Sequence, residues 1–357
     1  MSMVAFYAPM KPPFHPVPSG DRTMARALLM ALDHGGLSWE LVSTLQTRDK
    51  AGDTDVQARL FAQAEVEIAR LITQGRYANW RIWVTYHSYY KVPDLLGPTV
   101  AAALNIPYFQ IEATRARKRL KGPWAAFAQA AEAASDAAHA IFHLTHRDGE
   151  SLLAYAPQKQ KIIHLRPFLA RTELPPLGPR NGSMLSVGML RHGDKFASYQ
   201  LIADALHVLK TPDWKLVVAG DGPALDAVAS MMHPFGARVE LRGSLDQASL
   251  QDVYASSSLL FWPGVNEAFG MTFLEAQAAG LPVVAQRRPG VCDVLAPDSY
   301  PAPEDGPEAL ATKIDALLSD ECARLTAGDR ARDYTGEHHL LPTASRTLCD
   351  AIAEAVA

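Results

Sequence analysis

The sequence has few cysteines, little net charge and no long apolar segment. Three cysteines, Cys292, Cys322 and Cys349, are scattered through 357 residues, which excludes a disulfide framework or a thiolate zinc cluster. Lysine and arginine number 34 against 38 aspartates and glutamates, a formal net charge of −4 that argues against a nucleic-acid-binding protein. No apolar run approaches the roughly 18 residues of a membrane-spanning helix, and residues 1–7 lack the features of a signal peptide. We therefore expect a cytoplasmic protein.

The composition is that of a globular protein with ample core, at 48% hydrophobic and 20% charged residues. Short β-branched or aromatic runs alternate with longer amphipathic stretches, a pattern that predicts parallel sheets with helices on both faces. The predicted strands are Met3–Ala8, Trp39–Ser43, Arg81–Tyr86, Pro107–Ile111, Ala140–Leu144, Lys161–Leu165, Met184–Val187, Lys215–Ala219, Arg238–Leu241, Ser258–Trp262 and Pro282–Ala285. The predicted helices include Asp21–Asp33, Thr54–Thr73, Leu95–Ala103, Ala224–Met232, Ala309–Leu318 and Thr343–Val356.

Prolines and glycines are concentrated between the two series of strands, a composition typical of a linker. We predict two doubly wound α/β domains, 1–170 and 183–335, joined by a linker at 171–182. Residues 336–357 are predicted to form a last helix that packs back on the first domain. Ligands of such sheets bind at the carboxyl ends of the strands, so the expected site is the cleft between the two sheets.

The segment Phe261–Pro282 is the most informative part of the sequence. Glu267 follows a strand, and Glu275 lies on a helix predicted to begin near Met271 and to end at Gly280. The free amides at the start of a helix suit a phosphate, and carboxylates accept hydrogen bonds from sugar hydroxyls. The segment therefore predicts a nucleotide-sugar site, with Glu275 on the ribose and Glu267 on the sugar.

These two glutamates, with seven residues between them, carry a family resemblance. With Phe269-Gly270 after the first glutamate, Gly280-Leu281-Pro282-Val283 after the helix and Ala219-Gly220-Asp221-Gly222 before them, the chain resembles retaining glycosyltransferases of family 4, or glycosyl transferases group 1. The similarity is good over residues 183–320 and loose before them. It implies an α/β fold of the GT-B class, in which an acceptor-side and a nucleotide-sugar-binding Rossmann-like domain face each other across a cleft.

The resemblance also implies a donor site that needs no metal or other cofactor. Arg191 and Lys195 correspond to the two cations that the family uses on the diphosphate, although their spacing differs and Met189 follows Gly188. Such cations stabilise the negative charge that grows on the leaving phosphate. The implied contacts to the donor besides Glu267 and Glu275 are Gly243, Ala268, Phe269, Gly270 and Met271.

The acceptor side departs from the family pattern. His87 follows one predicted strand, and Glu112 follows the next, where the family commonly has a histidine. Either residue could orient an acceptor hydroxyl, which would make His87 a candidate catalytic residue, or serve as a structural hydrogen-bonding group. Gly20, at the end of the loop Pro9–Gly20 and beside a predicted cap at Ser19, is a candidate contact to the transferred group or part of a plain turn.

Two charged segments remain. One run has five cations in seven residues and predicts contact with anionic lipid headgroups or a phosphate-bearing acceptor, with a solvated helix start as the alternative. Asp53-Thr54-Asp55 has the D-x-D pattern of metal-dependent transferases of another fold, but its place before a helix favours capping. The cations of the basic run are Arg115, Arg117, Lys118, Arg119 and Lys121.

The sequence thus predicts a retaining glycosyltransferase that moves a sugar from a nucleotide-diphosphate donor to an acceptor hydroxyl, in glycan, glycolipid or polysaccharide synthesis. Front-face attack guided by the leaving phosphate is the expected route to retention. Two alternatives stay open: a GT-B-type nucleotide-sugar epimerase and a non-catalytic subunit that binds sugar nucleotides. The expected acceptor is a glycan, a lipid-linked sugar or a small molecule, and the expected location is cytoplasmic or peripheral on the cytoplasmic membrane face.

Overall fold

The computed structural model describes residues 3–17 and 19–356. Met1 and Ser2 at the start of the chain, Pro18 of the predicted loop and Ala357 lie outside the described residues.

The described residues divide into two compact units. Unit 1 comprises the described residues up to Arg166 together with those from Leu341 onwards, and unit 2 comprises Pro167–Leu340. Unit 2 is therefore inserted between two parts of unit 1 in the chain.

Unit 1 is built on a parallel sheet with the strand order β2-β1-β3-β4-β5-β6. The chain leaves β1 for β2 on one side and then returns for β3 on the other, so the strand order reverses between β1 and β3. Such a reversal opens a crevice at the carboxyl ends of the two strands, where ligands of α/β sheets bind. The strands are β1 Met3–Tyr7, β2 Ser38–Ser43, β3 Trp80–Ser88, β4 Tyr108–Ala113, β5 Ala140–His143 and β6 Lys161–His164.

The first two helices of unit 1 begin at side-chain caps that the sequence contains. Ser19 caps the first helix by accepting a bond from Arg22 N at 3.3 Å, and Asp53 caps the second through the amides of Asp55 and Val56 at 2.9 and 3.1 Å. The predicted capping role of the Asp53-Thr54-Asp55 segment is thus confirmed. The helices are α1 Gly20–His34, α2 Thr54–Ala78, α3 Gly97–Leu104, α4 Ala125–Ala137 and α5 His146–Leu153.

Unit 2 has the strand order β11-β10-β7-β8-β9, again all parallel. Here the order reverses between β7 and β10, which makes the carboxyl ends of these two strands the expected binding place. The strands are β7 Met184–Val187, β8 Leu216–Ala219, β9 Val239–Gly243, β10 Leu260–Phe261 and β11 Val283–Val284. The helices are α6 Asp194–Val208, α7 Leu225–Met232, α8 Gln247–Ser256, α9 Met271–Ala278, α10 Gly306–Ser319 and α11 Glu321–His338.

The last helix of the chain, α12 Leu341–Val356, packs against α1 in unit 1. Ser345 Oγ donates a hydrogen bond to the Ala31 carbonyl at 2.6 Å. A Cβ atom at Gly35 would collide with Cys349 Sγ, so glycine allows the two helices to approach closely.

The central strands of both units are buried on both faces, as in β5 and β8, where every residue is buried, and this explains their nearly continuous apolar runs. Each predicted strand is present; Met184–Val187 has the predicted bounds, and the other strands differ at one or both ends. Two shifts concern the site: β3 extends to Ser88 and β4 to Ala113, so His87 and Glu112 lie in the last positions of their strands instead of after them. Among the described residues, no helix has both the length and the apolar character of a membrane span.

Candidate functional site

Lys195 and Glu267 meet where the strand order of unit 2 reverses. Lys195 lies in the first turn of α6, after β7, and Glu267 lies in the loop after β10. The Lys195 ammonium contacts Glu267 Oε1, and the indole nitrogen of Trp262 donates to the same oxygen at 2.9 Å. The side chains are 31% and 12% exposed, respectively, so a half-buried ion pair is accessible from solvent at this edge of the sheet.

The loop that carries Glu267 is fixed to the start of α6. Val265 N donates to Ser198 Oγ at 3.1 Å, and Asn266 Nδ2 donates to Asp194 Oδ1 at 2.9 Å. Because Asp194 and Ser198 flank Lys195 on α6, these bonds set the position of Glu267 relative to the lysine.

The segment after Glu267 leads directly into α9. Gly270 has a φ of 77°, and a Cβ atom there would approach the Phe273 ring to 2.7 Å, so the turn into the helix requires glycine. The first turn of α9 contains no acidic residue among those described, which leaves its N-terminal amides and partial positive charge uncompensated. Ala268, Phe269, Gly270 and Met271, the predicted donor contacts, form this entry.

Glu275 lies on α9 and is held by one tyrosine. Tyr254 donates a hydrogen bond to Glu275 Oε2 at 2.9 Å, and its hydroxyl lies 2.8 Å from Thr272 Oγ1. Burial raises the pKa of the Glu275 carboxyl, while the Tyr254 bond and the charge of Arg171 act in the opposite direction. Within the described residues no donor reaches Oε1, so this oxygen can accept from a ligand hydroxyl.

Gly243 and Arg191 stand apart from the ion pair. Gly243 ends β9 with a φ of 67°, and a Cβ atom there would meet nothing within 4 Å. Arg191 is exposed in the loop between β7 and α6. Its guanidinium makes no hydrogen bond or ion pair with any described residue, so the structure brings Lys195, but not Arg191, onto Glu267.

A second cluster lies at the strand reversal of unit 1. His87 Nδ1 is 2.9 Å from Asp21 Oδ1 and 4.0 Å from Glu112 Oε2. Burial lowers the pKa of His87. Glu112 and Asp21 together raise this pKa by more than burial lowers it, so the net shift is upward. The His87 hydrogen bond lowers the pKa of Asp21, and burial raises that of Glu112.

His87 and Glu112 share an unusual backbone conformation. Their φ angles are 63° and 58°, and they are adjacent on neighbouring strands, since Tyr86 pairs with Ile111 and Ser88 with Ala113. Non-glycine residues held in sparsely populated backbone regions cost of order 1–3 kcal/mol each and cluster at functional sites. Asp21, which sequence reasoning missed, completes this acidic pair around the histidine.

Gly20, the other predicted acceptor-side residue, is the first residue of α1 and precedes Asp21. It is exposed, and a Cβ atom there would meet nothing within 4 Å. The structure therefore places it beside the His87 cluster, but no packing demands glycine at this position.

Two arginines of the basic run contact other side chains of unit 1. The Arg115 side chain is 2% exposed and pairs with Glu132 at 2.7 Å and Asp136 at 2.6 Å on α4. Arg119 lies 5.2 Å from the ring centre of Tyr90 and 5.4 Å from that of Trp124, a cation–π geometry. Arg115 is thus not part of the exposed basic surface. The run's exposed cations, as the structure describes them, are Arg117, Lys118 and Lys121.

Solved structures of glycosyltransferases share the fold over nearly the whole chain. A sucrose-phosphate synthase from Thermosynechococcus elongatus has a TM-score of 0.72 at 15% identity, with 99% of both chains covered. HepE from Anabaena, solved in complex with UDP and glucose, has a TM-score of 0.67 at 12% identity, also with 99% coverage of both chains. At these identities the likeness concerns the fold alone. It confirms the predicted fold class: the protein has the two Rossmann-like, parallel-sheet domains of GT-B glycosyltransferases.

Sequence comparisons show what unit 2 is similar to. The family model described as Glycosyl transferases group 1 matches residues 182–320. A sulfoquinovosyl transferase from Arabidopsis thaliana is 30% identical over 135 residues, 36% of this chain and 26% of the relative. An uncharacterised glycosyltransferase from Methanocaldococcus jannaschii is 32% identical over 144 residues, 38% of this chain and 36% of the relative. The match over residues 182–320 confirms the resemblance of this part of the chain to glycosyl transferases group 1. The alignments span well under two thirds of either relative's length.

Proposed function

We propose that the protein is a glycosyltransferase that moves a sugar from a nucleoside-diphosphate donor to an acceptor hydroxyl with retention at the anomeric carbon. The observation that carries the proposal is the contact between Lys195 and Glu267 at the strand reversal of unit 2. A half-buried cation beside a carboxylate and an uncompensated helix N-terminus suits a ligand that is both anionic and rich in hydroxyls.

The strand ends of unit 2 suggest how the donor lies. Gly243 at the end of β9 is open enough for a flat base, and Glu275 Oε1 would accept from the ribose hydroxyls. The amides of the α9 entry and Lys195 would hold the diphosphate, with exposed Arg191 as a second cation. Glu267 would then accept from the hydroxyls of the sugar.

The reaction breaks the bond between the anomeric carbon and the oxygen of the leaving phosphate. Negative charge grows on that phosphate, and fixed donors such as Lys195 stabilise it more strongly in the transition state than in the ground state. We propose front-face attack, in which the acceptor hydroxyl gives its proton to the departing phosphate as the new bond forms on the same face. These protein groups supply the charge stabilisation without a metal ion.

On the acceptor side we propose that His87, held between Asp21 and Glu112, orients the acceptor hydroxyl. The positive φ angles of His87 and Glu112 support a functional role for this cluster, because such strain persists where the surroundings enforce it. The acceptor would be a glycan, a glycolipid or a small molecule, and the exposed lysines of the basic run keep a glycolipid among these acceptors. The exposed Lys118 and Lys121 would then contact a membrane surface on the cytoplasmic side.

Titration calorimetry tests the donor site. UDP, GDP, ADP and their common sugar conjugates are titrated, with a chelator present, into the wild type and Glu275→Ala. We expect one nucleotide to bind and the variant to lose about 10-fold or more in affinity, the typical effect of removing a charged hydrogen-bond partner. Binding that requires a metal ion, or equal binding to the variant, would contradict the donor assignment.

Product analysis separates the proposal from its two alternatives. A transferase yields a glycosylated acceptor with the donor's anomeric configuration, whereas a GT-B-type epimerase releases a changed sugar nucleotide with no acceptor present. Tight nucleotide binding without turnover for any acceptor would identify a non-catalytic binding subunit.

A further inference from the structure

Arg288 is a half-buried cation in the loop after β11. Its Nε and Nη2 donate to the side-chain oxygen of Gln286 at 3.0 and 2.5 Å, and Gln286 itself is fully buried, at 0% exposure. The guanidinium is therefore held in place by a neutral amide.

Two other shielded arginines of this protein have carboxylate partners. Arg115 pairs with Glu132 and Asp136, and Arg180, 13% exposed, pairs with Asp329 at 2.5 Å. Arg288 has no carboxylate within ion-pair distance among the described residues, and burial lowers its pKa. A partly desolvated cation without a counter-charge is unfavourable in the free protein, so a bound anion would remove this cost.

The Arg288 loop lies directly against the loop that carries Glu267. Gln286 N donates to the Pro263 carbonyl at 3.2 Å, and a Cβ atom at Gly290 would come within 1.9 Å of the Ala268 carbonyl oxygen. Because the two loops pack backbone to backbone, Arg288 is fixed relative to the sugar-binding end of the site.

The strand order defines the side on which Arg288 lies. From one edge to the other the order is β9, β8, β7, β10, β11, so the ends of these strands carry Gly243, Lys195, Glu267 and Arg288 in that sequence. Neighbouring strands are about 4.8 Å apart. A donor with its base at β9 and its sugar at β10 would therefore present the far side of the sugar to Arg288, one strand further along.

We propose that Arg288 binds an anionic group on the transferred sugar, a carboxylate, sulfonate or phosphate, and so selects an acidic sugar donor. This inference rests on the proposed function. Two donors of the guanidinium are bound to Gln286, and its remaining N–H groups can form a charged hydrogen bond to such a group.

Calorimetry with paired donors tests the inference. UDP-glucose with UDP-glucuronic acid, and GDP-mannose with GDP-mannuronic acid, are titrated into the wild type, Arg288→Gln and Arg330→Gln. The last variant removes an exposed arginine of the same unit and controls for net charge. For the pair that binds, we expect the wild type and Arg330→Gln to prefer the acidic sugar by about 10-fold or more. Arg288→Gln should lose this preference and bind the free nucleoside diphosphate as the wild type does.

The outcomes separate this inference from the function on which it rests. If none of the four donors, nor free UDP or GDP, binds the wild type, both the proposed function and the role of Arg288 are overturned. If a donor binds but the wild type shows no acidic preference, or Arg288→Gln retains it, only the inference about Arg288 is overturned. Equal loss of free nucleotide and of both sugars in Arg288→Gln would place the arginine on the diphosphate instead.

Discussion

Tyr254, on α8, donates a hydrogen bond of 2.9 Å to Oε2 of Glu275, on α9. The bond links two helices of unit 2 and acts on a carboxyl whose pKa is raised by burial. Because the tyrosine donor favours the charged form, it helps to keep Glu275 able to accept from ribose hydroxyls.

Tyr254→Phe removes this bond, so the pKa of Glu275 should rise further. Acidification should weaken nucleotide binding in both proteins, because it protonates Glu275. In the variant we expect this loss of affinity to occur at a higher pH than in the wild type. Calorimetry between pH 8 and pH 5 measures the two profiles. Tyr300→Phe, which removes a hydroxyl bound only to the Ala296 carbonyl, is the control, and a Tyr254→Phe profile that matches it would contradict the role of Tyr254.

Glu275→Gln should make the unliganded protein more stable at pH 8 than the wild type. A carboxyl with a raised pKa in the folded state holds its proton more tightly there, so its stability contribution falls as the pH rises from its ordinary value of 4.5 through the folded pKa. The uncharged amide removes this penalty. Melting temperatures at pH 4 and pH 8 should show a gap between variant and wild type that widens with pH, and a constant gap would contradict the prediction.

Lys195→Ala should lower kcat by about 10²- to 10³-fold, the effect of removing one fixed donor from a developing negative charge. Its matched control is Lys313→Ala, which breaks the ion pair of another lysine of unit 2 with Asp298 and should leave kcat unchanged. Steady-state rates with the donor found by calorimetry measure both. An unaltered kcat in Lys195→Ala would rule out the proposed role.

Asp21→Asn should lower the pKa of His87, because the charge and hydrogen bond of Asp21 help to raise it. In the wild type, a raised histidine pKa contributes stability that is complete below 6.5, the ordinary value, and is lost as the pH rises through the folded value. The variant should therefore lose more stability at pH 6 than at pH 9. NMR titration, with His87→Gln used to assign the signal, gives the midpoint directly, and an unchanged midpoint would refute the pairing.

Arg115→Ala should destabilise the protein by about 3 kcal/mol or more, because it leaves the carboxylate of Glu132 shielded from solvent without its partner. Lys118→Ala and Lys121→Ala alter exposed side chains, and each should stay within about 0.5 kcal/mol. Chemical denaturation monitored by circular dichroism compares the three variants. An Arg115→Ala variant as stable as the two lysine variants would show that the pair of Arg115 with Glu132 contributes nothing to the free energy of unfolding.

The same exposed lysines test the proposed membrane contact. Replacing Lys118 and Lys121 with glutamate should weaken sedimentation with phosphatidylserine vesicles, since each surface cation contributes about 1 kcal/mol near an anionic membrane. Neutral phosphatidylcholine vesicles are the control. Equal sedimentation of variant and wild type with the anionic vesicles would show that these lysines do not contact the membrane.

The strands and the glutamate segment were predictable because their signals are local. Alternation of apolar runs and helices marks the strands, and residues that follow a strand lie at its carboxyl end. The contact of Lys195 with Glu267 is a different matter, because it depends on β10 lying beside β7. Residue patterns along the chain do not state which strands are neighbours.

Two residues of the candidate sites were missed for different reasons. Asp21 lies at the start of a predicted helix, where an acidic residue is ordinary, and its partner His87 comes 66 residues later in the sequence. Arg288 follows the strand β11, so the rule that singled out His87 and Glu267 would have included it. The positive φ angles of His87 and Glu112 could not be predicted from the sequence, because glycine is the residue type that usually indicates this conformation.

Helix α12 covers α1 with residues that follow all of unit 2 in the chain. On the ribosome, the strands of unit 1 are therefore made first, but its surface around Ala31 and Gly35 stays open until residues 341–356 have been synthesised. Unit 2, whose residues are continuous in the chain, can fold during this interval. A stalled or truncated product that ends before Leu341 would expose the uncovered face of α1, and chaperones and proteases recognise such exposed apolar surface.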